Sequence, residues 1–233
     1  MSVTSTSAHT AHQPETEWLV NQIAHALRNP IFAALVQSES ISMRASQDPR
    51  LAKSATTLYG QLKRLEGQID EMLLYGRPAP ISPEPVDAAA LVLEVVEAYR
   101  RGGRHEPAEV RGPDPAPVPA TWDGGAVRVI LERLLDNAVE HTQPPHRVEV
   151  EVHGDEADRL TVVVRDHGEG IPEEMAEQIF LPFFPQHRGR PGLGLAVALK
   201  FASAMGGMLE ITSAVGQGTE ARCTLPRHLS GGR

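Results

Sequence analysis

The sequence predicts an α+β chain in two parts: a helical hairpin that pairs with a second copy as a dimeric four-helix bundle, then an α/β sandwich of helices on a largely antiparallel sheet. Three observations point there. Apolar residues recur at 51, 55, 58, 62, 65, 69 and 72, the alternating 4-3 spacing of a bundle seam. GRPAPISPEPV (76–86) places four prolines where a linker between domains belongs. Beyond it, RVEVEVH (147–153) with LTVVVRD (160–166), and MLEITS (208–213) with TEARCTLP (219–226), alternate with period two on either side of GDEAD and VGQG, as hairpins do.

Taken in order, residues 1–14 read as a disordered polar tail and 15–77 as the hairpin, with a break at QDP (47–49) between its helices. A hairpin this thin cannot close a core alone, hence the expected homodimer. Residues 78–86 form the linker, 87–228 the second domain and 229–233 a short tail. Within that domain, 88–99 and 125–141 have helical patterns on either side of a proline-rich loop (106–119), and a further helix runs from 195 to 205.

The 233 residues carry a formal charge of −8, which argues against nonspecific nucleic-acid binding, since that needs a basic surface. Cys223 is the single cysteine, so internal disulfides and cysteine-based metal clusters are excluded. No run approaches the roughly 18 apolar residues of a membrane span, and the N-terminus lacks a basic-then-apolar signal. The expectation is a cytoplasmic chain with no membrane insertion.

Four stretches carry chemistry. In QIAHALRNPIFAAL (22–35), Leu19, Ile23, Ala26, Leu27, Ile31, Ala34 and Ile41 fall on one side of the helix, which turns His25 toward solvent. Phe32 and Val36 share the His25 side; either a docking partner or the second hairpin of a dimer would cover them. In RLLDNAVEHT (133–142), Arg133, Asn137 and Glu140 share a stripe. Asn137 there can offer an oxygen to Mg²⁺, although on the helix alone a solvated face is the commoner reading of such a stripe. In VVVRDHGEGIP (162–172), Asp166 precedes Gly168 and Gly170, so a carboxylate acceptor lies beside backbone open to a flat ring; a glycine turn with a capping Asp has the same pattern. In RPGLGLAVALK (190–200), Gly192, Leu193 and Gly194 lead into a helix whose exposed amides suit phosphate, with His187, Arg188 and Arg190 upstream to supply positive charge.

Together, HALRNP, RLLDNAVEHT, DHGEGI, IFLPFF, GLGLAVA and GQGTEARCTLP resemble, in order and spacing, the histidine, asparagine, phenylalanine and glycine boxes of sensor histidine kinases across roughly residues 17–226. The resemblance implies a dimerisation and phosphotransfer hairpin followed by an ATP-binding domain of the Bergerat type. It implies His25 as phosphoacceptor and Asn29 as the residue orienting water for dephosphorylation of a partner. Asn137 would be the Mg²⁺ ligand, with Arg133 beside it, and Asp166 the partner of the adenine amino group. Gly168 and Gly170 would shape the adenine pocket. Gly192, Leu193 and Gly194, with Arg188 and Arg190, would hold the phosphates under a lid. ATP and Mg²⁺ are the implied cofactors and a response-regulator receiver domain the implied partner.

The chain departs from that pattern in four places. Ala26 stands where the family has an acid next to the phosphoacceptor, and general-base help of that kind is worth about 10²–10⁴ in rate. Arg133 replaces the first asparagine of its box, and Arg190 with Pro191 replaces a glycine and a small residue. Only 24 residues precede His25, which leads one to expect a separate sensor or input protein. The alternative to a working kinase is therefore a kinase-impaired relative acting as response-regulator phosphatase, phosphotransfer protein or signalling partner of another kinase. A serine kinase or mechanochemical member of the wider ATPase superfamily is a third class, and HALRNP argues against it.

Overall fold

A computed structural model of the chain describes residues 3–6, 14–44, 49–101, 109–111, 116–142, 147–154, 158–184 and 192–229. It divides into two compact units, one centred on residues 12–78 and one on 79–186 and 194–233.

The first unit is a hairpin of α1 (Pro14–Arg44) and α2 (Pro49–Gly76). Most of the break expected at 47–49 lies outside the described residues; Pro49 opens α2, as its preset φ favours at a first helical position. The two helices pack through Ala24, Ile69 and Leu73, with Ile31 and Met72 against them, and bury Val20, Leu35 and Ala55 as well. Within one chain, α2 covers only part of the expected apolar face of α1. Leu19, Ile23, Leu27 and Ile41 remain 43–52% exposed, because the stripe is wider than one helix-helix contact and α2 covers only the edge of it carrying Val20, Ala24 and Leu35. Along α2, Leu51, Leu58 and Leu65 are likewise 43–50% exposed while Ala55 and Ile69 are buried. Pro30 lies inside α1 and has no N–H to give the carbonyl of Ala26.

The second unit is an α+β sandwich. Its strands are β1 (Val3–Thr6), β2 (Glu84–Asp87), β3 (Glu109–Arg111), β4 (Pro119–Trp122), β5 (Arg147–Gly154), β6 (Arg159–Asp166), β7 (Met208–Ala214) and β8 (Gly218–Pro226). Six form one sheet in the order β1-β7-β8-β6-β5-β3, and β2 pairs with β4 separately. Every neighbouring pair in the large sheet is antiparallel except β3 with β5. Val3–Thr6, within the stretch expected to be a disordered tail, is thus an edge strand. Its residues VTST carry no apolar alternation to announce it, and its register is supplied by β7.

Helices α3 (Ala88–Arg101), α4 (Gly124–Glu140) and α5 (Gly194–Ala204) cover the sheet. Asp87 starts α3: its carboxylate accepts from the amides of Ala89, Ala90 and Val118, and these donors hold its pKa below the ordinary carboxylate range. Asp123 caps α4 through the amide of Ala126 and also accepts from the amide of Ser82 at 2.7 Å. The face of α4 expected to be apolar, Val127, Ile130, Leu131, Leu134, Leu135 and Ala138, is buried. Beneath it alternate residues of β6 and β8, namely Leu160, Val162, Val164, Ala221, Cys223 and Leu225, close the core. Among the described residues, no helix is long and apolar enough to cross a membrane.

Candidate functional site

Between α4 and the sheet lies a cavity of about 380 Å³. Leu134, Ala138, Val164, Ile211 and Ala221 give it apolar walls, and Asn137, His141, Asp166, Glu169 and Thr219 supply its polar atoms. Few polar groups on an apolar wall is the composition of a small-molecule site.

Asp166 ends β6, and its Oδ1 accepts from the amides of Gly168 (2.8 Å) and Thr219 (3.2 Å). Both donors are backbone, so the carboxyl is fixed in orientation, and Oδ2 receives neither of them. Burial pushes its pKa up, and the two amides with nearby His141 and His167 only partly offset this. Three glycines let the backbone close around that carboxyl. A Cβ on Gly168 would lie 2.1 Å from the carbonyl oxygen of His141, one on Gly170 2.1 Å from that of Ala214, and one on Gly218 2.1 Å from that of Asp166 itself. Gly170 and Gly218 also have φ of +72° and +87°. Gly168 and Gly170 were expected here; Gly218 and Thr219 were not singled out, though they lie in the last glycine-containing motif.

Asn137 lines the cavity from α4, and its Nδ2 is buried with no hydrogen-bond partner. An orphaned amide on this wall fits a polar ligand such as a nucleotide phosphate or its hydrated metal ion. Arg133 does not lie on that wall. Its Nη1 is 3.4 Å from Oδ2 of buried Asp136, whose Oδ1 accepts from the Tyr99 hydroxyl at 3.0 Å. A buried carboxylate one turn away thus engages the guanidinium. His141 joins the end of α4 to the following loop, with Nδ1 3.2 Å from Glu169 Oε1 and its carbonyl accepting from the Glu169 amide. Gly192 has φ of +65°, Leu193 is buried and Gly194 opens α5, as the glycine-helix pattern requires. Arg188 and Arg190 lie outside the described residues.

A second candidate site is on the hairpin. His25 is exposed on α1, and Arg77, just past the end of α2, brings Nη2 to 3.5 Å from His25 Nε2. One turn along, Arg28 pairs with Asp70 of α2 at 3.5 Å. Asn29 and Phe32 border a cavity of about 290 Å³ closed by Glu66 and Ile69.

Residues 123–229 match the family of histidine kinase-, DNA gyrase B- and HSP90-like ATPases. Over 91% of its length the chain is 29% identical to the sensor histidine kinase AtsR of Burkholderia thailandensis, spanning 37% of that protein. Over 90% it is 26% identical to the adaptive-response sensory kinase SasA of Synechococcus elongatus, spanning 59% of it. The chain therefore spans less than two thirds of the length of these curated relatives. Its fold is also that of full-length ShkA, solved in complex with AMPPNP, with a TM-score of 0.68 and 23% identity over 95% of this chain and 47% of that one.

Proposed function

The chain is a relative of the sensor histidine kinases, with residues 123–229 belonging to the histidine kinase-, DNA gyrase B- and HSP90-like ATPases, and from that premise we propose that it is itself an ATP-dependent protein histidine kinase. Nε2 of His25 attacks the γ-phosphorus of ATP, the bond from that phosphorus to the bridging oxygen breaks, and ADP leaves with the electron pair. The phosphoryl group then passes to an aspartate of a response-regulator receiver domain.

The carrying observation is the fixed carboxyl of Asp166. With Oδ1 committed to two amides, Oδ2 is the oxygen that would accept from an exocyclic amine, the contact by which adenine is told from guanine. Asn137 would hold Mg²⁺ through its side-chain oxygen, and the ion would supply charge neutralisation for the phosphates. Gly192, Leu193 and Gly194 at the start of α5, with Arg188 and Arg190, would serve the phosphates. Asn29 on the exposed face beyond His25 would orient water when the receiver is dephosphorylated.

The exposed side chains of Leu19, Ile23, Leu27, Leu51, Leu58 and Leu65 support a homodimer in which two hairpins bury them as a four-helix bundle. In that assembly the chain works in the cytoplasm and takes its signal from a separate sensor or input protein. A second reading, a kinase-impaired phosphatase or phosphotransfer protein, is favoured by one residue: Ala26 offers no carboxylate to receive the imidazole proton.

The deciding experiment incubates the protein with γ-labelled ATP and Mg²⁺ beside His25→Ala. Acid-labile, alkali-stable label in the wild type that is absent from His25→Ala is expected. Nucleotide binding with no label at any time would replace the kinase reading with the second one.

A further inference from the structure

Gly76 is the last residue of α2, and a Cβ built there would lie 2.7 Å from the amide nitrogen and 2.8 Å from the Cβ of Asn21, and 2.8 Å from the carbonyl oxygen of Glu17. Only glycine allows the end of α2 to come this close to α1. Asn21 lies one helical turn before His25, so this approach sets the next residue, Arg77, beside the imidazole, where Nη2 is 3.5 Å from Nε2.

We propose that Arg77 is a positioning residue for the phosphoacceptor, selecting the His25 tautomer and then pairing with the phosphoryl group. The proposal rests on His25 being that phosphoacceptor. A guanidinium has five donors and no acceptor, so it can meet Nε2 only where Nε2 carries the lone pair and Nδ1 carries the proton. That is the tautomer a nucleophilic Nε2 requires. In most relatives implied by the motif pattern an acid after the histidine would hold the Nδ1 proton; here residue 26 is Ala, and the tautomer is selected from the other nitrogen. The contact is long, so little is lost from it when Nε2 attacks. Once the Nε2–P bond forms and the ring proton on Nδ1 is lost to water, the same planar fork faces three phosphoryl oxygens, which it matches in charge and geometry.

The test needs neither ATP nor kinase activity, so its failure is separable from failure of the kinase reading. Long-range proton–nitrogen spectra of the nitrogen-15-histidine-labelled full chain, at about pH 8.5 where an ordinary imidazole is neutral, report which ring nitrogen of His25 is protonated. The wild type is expected to show the Nδ1–H form. Arg77→Met, which keeps length but has no donor, and Gly76→Ala, which displaces the helix end while keeping Arg77, should both shift toward Nε2–H. Arg77→Lys should restore Nδ1–H. Phosphoramidate then phosphorylates His25 directly: its P–N bond breaks, ammonia leaves, and Nε2–P forms. The phosphorylated Arg77→Met protein should lose its label about two- to fivefold faster than wild type, the range of an exposed charge pair. Identical ring-nitrogen shifts and half-lives in wild type and Arg77→Met would overturn the proposal, and so would loss of the Nδ1–H form in Arg77→Lys as well as Arg77→Met.

Discussion

The carboxyl of Asp166 and the amide of Thr219, 53 positions apart in the chain, meet at 3.2 Å. The amide of Gly168 reaches the same oxygen at 2.8 Å. One side chain thus joins the end of β6, the following loop and the start of β8, and the geometry leaves a single carboxyl oxygen for a ligand.

Changing Asp166→Asn tests that division of labour. The side-chain oxygen must still face the two amides, which turns the NH₂ toward the adenine amine and sets donor against donor. An unmatched buried donor costs about 1–3 kcal/mol, so ADP should bind about 5- to 150-fold more weakly by calorimetry. Thermal stability near neutral pH should hold or rise, because an amide is cheaper to bury than a carboxylate.

The same carboxyl sets a pH dependence with two opposite signs. Burial raises its pKa above that of the unfolded chain, so the native state binds the proton more tightly. As pH falls through the folded pKa toward the lower unfolded one, Asp166 gains its proton first in the native state, and its unfavourable contribution to stability fades. Over that window ADP binding should weaken, since a protonated Asp166 no longer accepts as an anion. Titrations of ADP affinity and of unfolding midpoint between pH 7 and pH 4 would check this; in Asp166→Asn both dependences should flatten.

Gly170→Ala and Gly216→Ala make a matched pair. Both glycines have positive φ, +72° and +75°, but a Cβ at 170 meets the Ala214 carbonyl oxygen at 2.1 Å while one at 216 meets nothing within 4 Å. Gly216→Ala should cost about 1–2 kcal/mol, the conformational term alone. Gly170→Ala should cost more and also impair ADP binding. Equal urea midpoints for the two would contradict the packing described.

Arg133→Ala should act on stability before it acts on nucleotide. It removes the cation paired with buried Asp136, whose Oδ1 accepts from the Tyr99 hydroxyl across the α3–α4 contact, and breaking a buried pair costs about 3–5 kcal/mol at most. ADP affinity at a temperature where the variant is folded should change by less than about threefold.

Ala26→Glu restores the missing carboxylate. Label from γ-labelled ATP should appear on the protein about 10²–10⁴ times faster than in wild type, and His25→Ala in the same background should abolish it.

Periodic patterns were the legible part of the fold. The stripe of α4 and the alternation of β5–β8 announced which residues are buried, because there one face meets one core. On α1 the pattern named the apolar residues but not their contact: Leu27 and Ala24 are both apolar, and only the path of α2 decides that Ala24 is covered while Leu27 is 43% exposed. β1 and β3 were invisible because three or four residues paired to distant strands have no periodicity to read. In the site, Asp166, Gly168, Gly170 and Asn137 could be found because their residue types are unusual for their elements. Thr219 was hidden because its amide does the work. The pairing of Arg133 with Asp136 was not legible, because Asp136 is held from another helix by the Tyr99 hydroxyl.

The edge strand β1 also fixes a timetable. Thr6 pairs with Glu210, so β1 waits for a partner about 200 residues downstream, roughly 10–40 s at ordinary rates of synthesis. Four residues with only Val3 apolar can wait in water without seeking other strands. That edge of the sheet therefore closes only once β7 has been made, and its protection against hydrogen exchange reports this late pairing.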